Sequence, residues 1–194
     1  MTDPCKVVLI GESGVGKTCI IAQFINKTFD PNVVPTLTSQ YIRKNIESPE
    51  GKSVLMDIWD TAGQEKHRAL AKIFYKNSKA VLLVYDITNK KSFEEIKNYW
   101  YEQVKESSGK KDTILAVVGN KYDLINEKDV SNEDGEEFVK SIGAIFALTT
   151  ATDYNSINAL FESIAMKILE PTNDKKFVKL KTQKKKKMKD CCKV

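Results

Sequence analysis

Two hydrophobic periods alternate along this chain. Short apolar, β-branched runs occur at residues 6–10 (KVVLI), 80–85 (AVLLVY) and 114–118 (ILAVV), the pattern of strands buried on both faces. Residues 43–47 and 54–59 form two further extended runs around Pro49, Glu50 and Gly51, which predicts a hairpin. A weaker final strand falls at 144–148. Between these runs the spacing turns helical, at residues 17–26, 92–106, 132–140 and 155–169. Ser92 is the expected N-cap of the second helix, and Pro171 the expected stop of the last. Strands alternating with helices predict βαβ units, a mostly parallel sheet and right-handed crossovers. Ligands in such sheets bind at the carboxyl ends of strands. The loops after Ile10, Trp59, Val118 and Leu148 are therefore where chemistry is expected.

Composition narrows this picture. The 194 residues, 41% hydrophobic and 29% charged, suit one globular domain. The longest apolar run has six residues, far short of a membrane span, and the start MTDPCK does not read as a signal peptide. Four cysteines, two of them adjacent, do not form a disulfide framework, so a reducing cytosolic compartment is expected. The charge is uneven. Residues 174–194 carry ten lysines against Asp174 and Asp190, a net +8, which leaves −3 on the first 173 residues. Such a tail points to an anionic partner, a membrane surface or nucleic acid. Nucleic-acid binding is disfavoured because no basic folded stretch with interleaved aromatics accompanies it.

Each of the four loops carries a motif. Residues 11–18 read GESGVGKT, filling every defined position of GxxxxGK[ST] between a strand and a helix. Glycines there let backbone N–H groups crowd round phosphates, and the helix N-terminus adds partial positive charge. Ser13, Gly14, Val15, Gly16, Lys17, Thr18 and Cys19 are the candidate phosphate-loop residues. Lys17 would reach the β- and γ-phosphates and Thr18 would bind Mg2+. This motif alone does not separate ATP from GTP. Residues 120–123 (NKYD) do: the Asp123 carboxylate can accept from both N1–H and the N2 amino group of guanine, a donor pair adenine lacks. Residues 60–64 read DTAGQ, where Asp60 suits the shell of a Mg2+ ion, Gly63 a γ-phosphate contact and Gln64 the orientation of an attacking water. Each motif alone could be an ordinary polar turn; together they specify a guanine-nucleotide site.

With these residues in place, the chain resembles a small GTPase of the Ras superfamily, and within it the Rab family, from residue 6 to about 169 and again at the terminal cysteines. The stretches 59–65 (WDTAGQE) and 83–88 (LVYDIT) are Rab-like, and 68–78 (RALAKIFYKNS) is similar to the early-endosomal branch. The resemblance implies an α/β fold: a P-loop NTPase G domain over residues 1–172, with a six-stranded, mostly parallel sheet and helices on both faces. Residues 173–194 would be a disordered Lys-rich tail. It also implies that Thr36 binds Mg2+ and the γ-phosphate, and that Phe29 packs on the guanine. Thr150, Ala151 and Thr152 would form the second base loop, and Tyr41, Trp59 and Phe74 a triad read by effectors. Cys191 and Cys192 would be prenylated; as a CaaX box, Cys191 alone would be.

Some positions depart from the family pattern. Thr36-Leu37-Thr38 and Gln40-Tyr41 are unusual at the start of switch I, Thr152 replaces the customary lysine of the base loop, and His67 replaces an aromatic of switch II. Partner choice is not inherited through that segment. Neither arginine, Arg43 or Arg68, falls where a cis arginine finger would sit. The expected activity is therefore slow hydrolysis of GTP to GDP and phosphate, stimulated by a GTPase-activating protein. An exchange factor, a GDP dissociation inhibitor or escort protein and GTP-state effectors complete the implied partners. The implied location is the cytoplasmic face of intracellular membranes, endosomal above others, with cycling through the cytosol. A Ras-like signalling GTPase with a polybasic CaaX tail is the alternative.

Overall fold

The computed structural model describes residues 3–32, 36, 40–48, 50–61, 73–107 and 113–170. Six strands form one sheet: β1 (Cys5–Ile10), β2 (Gln40–Glu47), β3 (Ser53–Asp60), β4 (Ala80–Asp86), β5 (Ile114–Asn120) and β6 (Ile145–Leu148). Their order in space is β2-β3-β1-β4-β5-β6, and only the β2–β3 pair is antiparallel. The expected six-stranded, mostly parallel α/β sheet is thus present.

Strand periodicity divides the core in two. Val7 and Leu9 of β1, with Ala80, Leu82 and Val84 of β4, pack on one face against Ile20 and Phe24 of α1 (Lys17–Asn26) and Ile157, Phe161 and Ile164 of α5 (Tyr154–Leu169). Their alternates Val8, Ile10, Val81, Leu83 and Tyr85 pack on the other. That second layer is built by α2 (Lys90–Glu95), a π-helical turn (Ile96–Trp100), α3 (Tyr101–Ser107) and α4 (Asn132–Ile142). Strands buried on both sides cannot alternate polar with apolar, which is why β1 and β4 read as continuous runs. The hairpin forms in the expected place, with Arg43 opposite Asp57 and Gly51 in the left-handed region at φ 75°.

One expectation changes. Ser92 is not the cap of the second helix. Asn89 is, its side chain accepting from the Ser92 N–H at 3.2 Å, while the Ser92 hydroxyl is buried and bonded to the Asn89 carbonyl. The helix thus begins earlier than its apolar pattern, and its middle is interrupted by the π turn. Pro171 and the tail, 173–194, lie outside the described residues; α5 ends at Leu169.

Candidate functional site

The loops after β1, β3, β5 and β6 converge on one cavity of about 410 Å3 at the carboxyl ends of the strands. Ser13, Gly14, Gly16, Lys17, Thr18, Cys19, Phe29, Thr36, Asn120, Lys121, Asp123, Thr150, Ala151 and Thr152 all line it. Residues separated by more than a hundred positions are brought together there, as the motifs required. Two described candidates of the nucleotide and metal site, Val15 and Asp60, are not in its lining. The Val15 side chain is 1% exposed in the core, and its carbonyl accepts from the Asn120 amide at 2.9 Å. Asp60 lies behind the lining, joined to it by the hydrogen bond from Thr18. Gly63 and Gln64 lie outside the described residues, as do Leu37, Thr38, His67, Arg68, Cys191 and Cys192.

The glycine-rich loop is shaped by contacts that no other residue type permits. Gly11 and Gly16 have φ of 146° and 95°. A Cβ on Gly11 would strike the Val84 carbonyl, and one on Gly16 the Asn120 side chain. Gly16 is the N-cap of α1 and supplies no side-chain cap, so the first amides of the helix open towards the cavity. Lys17 is 5% exposed and donates to the carbonyls of Gly11 and Glu12, both at 2.8 Å. Burial lowers its pKa to about 8, opposed by the charges of Asp60 and Glu12.

Beside Lys17 three oxygen-bearing side chains meet. The Thr18 and Thr36 hydroxyls are 2.6 Å apart, and Thr18 donates to Asp60 Oδ2 at 2.7 Å. Asp60 Oδ1 is buried without a hydrogen-bond partner, and burial raises the carboxyl pKa against the pull of Thr18 and Lys17. A buried, half-satisfied carboxylate next to two hydroxyls is a hard-oxygen donor set suited to Mg2+. No group of three His, Cys, Asp or Glu side chains that could hold a metal occurs among the described residues.

At the opposite end, Asp123 accepts from the Thr150 hydroxyl, which is 2.8 Å from that of Thr152. The customary lysine is thus replaced by a hydroxyl that joins the network. Lys121, left-handed at φ 65°, pairs with Asp86 at 2.5 Å. Asn120 is a brace: besides its bond to Val15, its Oδ1 accepts from Thr149 at 3.1 Å, tying three loops together. Phe29 is 45% exposed at the cavity rim. Asp30, Pro31, Thr61 and Leu124 also line the cavity and were not singled out in the sequence. Thr61, directly after Asp60, could have been; its buried hydroxyl donates to the Leu9 carbonyl at 2.7 Å.

Away from the cavity, Tyr41 stacks on Trp59 at 5.0 Å between ring centroids, and Phe74 lies 6.0 Å from Trp59. The three aromatics form one patch, with Tyr41 54% exposed. Arg43 is elsewhere on the hairpin, bonded through Nε and Nη2 to Asp57.

A glycine-rich loop at the end of β1, a buried lysine within it and an aspartate lining the same cavity are the features of a P-loop nucleotide-binding protein. Comparison with known proteins specifies which kind. The Ras family model matches residues 6–170. Rab-22A of Homo sapiens is 38% identical over 192 residues, covering 96% of this chain and 97% of that protein. Rab-31 of Mus musculus is 38% identical over 163 residues, 84% of this chain and 82% of that protein. Rab-21 of Geodia cydonium is 38% identical over 169 residues, 87% and 72% respectively. The chain belongs to the Ras family. It is a small GTPase of the Rab type, a GTP-binding and GTP-hydrolysing switch of membrane trafficking, and the Ras-like alternative is less well supported.

Proposed function

We propose that the cavity holds GTP or GDP with its base at Asp123 and its phosphates in the loop of residues 11–18, and that Mg2+ is held by Thr18, Thr36 and Asp60. The observation that carries this reading is the convergence of Lys17, Thr18, Thr36 and Asp123 on one cavity, with Asp60 bonded to Thr18 behind its wall. Bound Mg2+ would neutralise charge on the β- and γ-phosphates. Lys17 exchanges its two backbone carbonyls for phosphate oxygens. Asp123 accepts from guanine N1–H and N2, with Ala151 N–H serving O6 and Phe29 covering the ring. Gln64 holds the attacking water, and Gly63 and Thr36 N–H groups hold the γ-phosphate. No covalent step on the protein is required; positioning and charge stabilisation lower the barrier.

Arg43 is committed to Asp57, which supports slow intrinsic turnover and a stimulating charge supplied by a GTPase-activating protein. An exchange factor and a GDP dissociation inhibitor or escort protein would complete the cycle, with effectors reading the Tyr41–Trp59–Phe74 patch in the GTP state. Cys191 and Cys192 carry the lipid anchor, and the lysines of the tail add attraction to an anionic leaflet. The Rab-22A, Rab-31 and Rab-21 relatives support an endosomal membrane as the site of action.

Single-turnover hydrolysis tests the catalytic part. Gln64→Leu is expected to retain GTP affinity and to lose at least a hundredfold in stimulated rate, within the range removal of one positioning group costs. Unchanged stimulated turnover would remove Gln64 from the mechanism.

A further inference from the structure

Trp100 lies 88 residues from the phosphate loop, yet its indole Nε1–H donates to Glu12 Oε1 at 3.1 Å. The ring is 2% exposed within the second core layer, where it meets Tyr99 edge-on at 5.1 Å. A buried indole needs an acceptor, and this one finds a carboxylate on the loop that cradles phosphate. The Glu12 side chain is bonded by Trp100, and its carbonyl accepts from Lys17 at 2.8 Å. The helix is locally distorted at this contact. Trp100 ends the π turn, which is closed by the Tyr101 N–H bonding to the Ile96 carbonyl, five residues back. One extra residue in a turn rotates the remainder of the helix by about 100° relative to a continuous α-helix. Wider turns of this kind often mark functional positions.

We propose that Trp100 is a positioning residue of the nucleotide site: through Glu12 it fixes the phosphate loop, and with it the Lys17 resting position, against the second helical layer. The inference rests on the phosphate-loop reading above. It assigns Trp100 and Glu12 a role in holding the β-phosphate, and none in reading the base.

Release of a fluorescent GDP analogue from the full chain at saturating Mg2+ tests it. Trp100→Phe keeps an aromatic ring and removes the donor; Glu12→Ala removes the acceptor from outside the core. Each is expected to release GDP about tenfold faster, the scale of one hydrogen bond to a charged group. The double variant should be no faster than either single one, because both remove the same bond. Glu12→Gln, which keeps a carbonyl acceptor, should recover most of the loss. Guanosine monophosphate has no β-phosphate, so its affinity should be unchanged in all variants. Parental release rates in Glu12→Ala, additive effects in the double variant, or an equal loss for guanosine monophosphate would each overturn the proposal. An unmodified protein that binds no guanine nucleotide would instead remove the functional reading itself.

Discussion

The phenol of Tyr85 is fully buried and has no hydrogen-bond partner. It lies beside Gly119 and Gly135, whose missing side chains make room for it, and burial pushes its pKa up with help from the charge of Asp134. An unpaired buried hydroxyl costs stability, and phenylalanine fills the same space without that cost. Tyr85→Phe is therefore expected to stabilise the GDP-bound protein by about 1 kcal/mol in urea unfolding. A loss of similar size would show that the hydroxyl is satisfied. Residue identities in the site were largely legible, because phosphate cradles and guanine acceptors demand particular atoms at fixed spacing. The bracing role of Asn120 was not. Its two bonds reach Val15 and Thr149, and nothing in local spacing links those positions. Trp100 and Glu12 escaped for the same reason, since each reads as an ordinary core or loop residue until the fold joins them.

At the scale of elements, hydrophobic period located the six strands and the helices at 17–26, 90–107, 132–142 and 154–169 within a few residues among the described residues. The β1 and β4 runs were legible because burial on both faces leaves no polar position. Pairing order was not, since apolar runs do not say which neighbour they take; β1 sits between β3 and β4 through crossovers that no local pattern encodes. The helix after β4 departs most from expectation. Its cap moved from Ser92 to Asn89 because the Ser92 hydroxyl is turned inward onto the Asn89 carbonyl. Its π turn breaks the 3.6-residue period on which the reading depended. The final strand read weakly because all four residues of β6, at the sheet edge, are only partly buried.

At the scale of the whole molecule, the sheet delivers four loops to one cavity while the aromatic patch of Tyr41, Trp59 and Phe74 stays on a separate surface. The proposed lipid anchor in the tail is open to direct measurement. Intact mass of the C-terminal peptide from eukaryotic cells is expected to show two isoprenoids, on Cys191 and Cys192. One isoprenoid on Cys191 with the last three residues removed would favour the CaaX alternative. The central claim is guanine recognition by Asp123, and the direct measurement is competition of nucleotides for the purified chain in Mg2+. GDP should displace a fluorescent guanine nucleotide at least 10⁴-fold more effectively than ADP, the discrimination a site gains when the wrong ligand leaves its polar groups unpaired. Asp123→Asn should move that preference towards xanthosine diphosphate, whose O2 accepts from an amide. Equal displacement by ADP and GDP in the unmodified chain would contradict the assignment of this cavity as a guanine-nucleotide site.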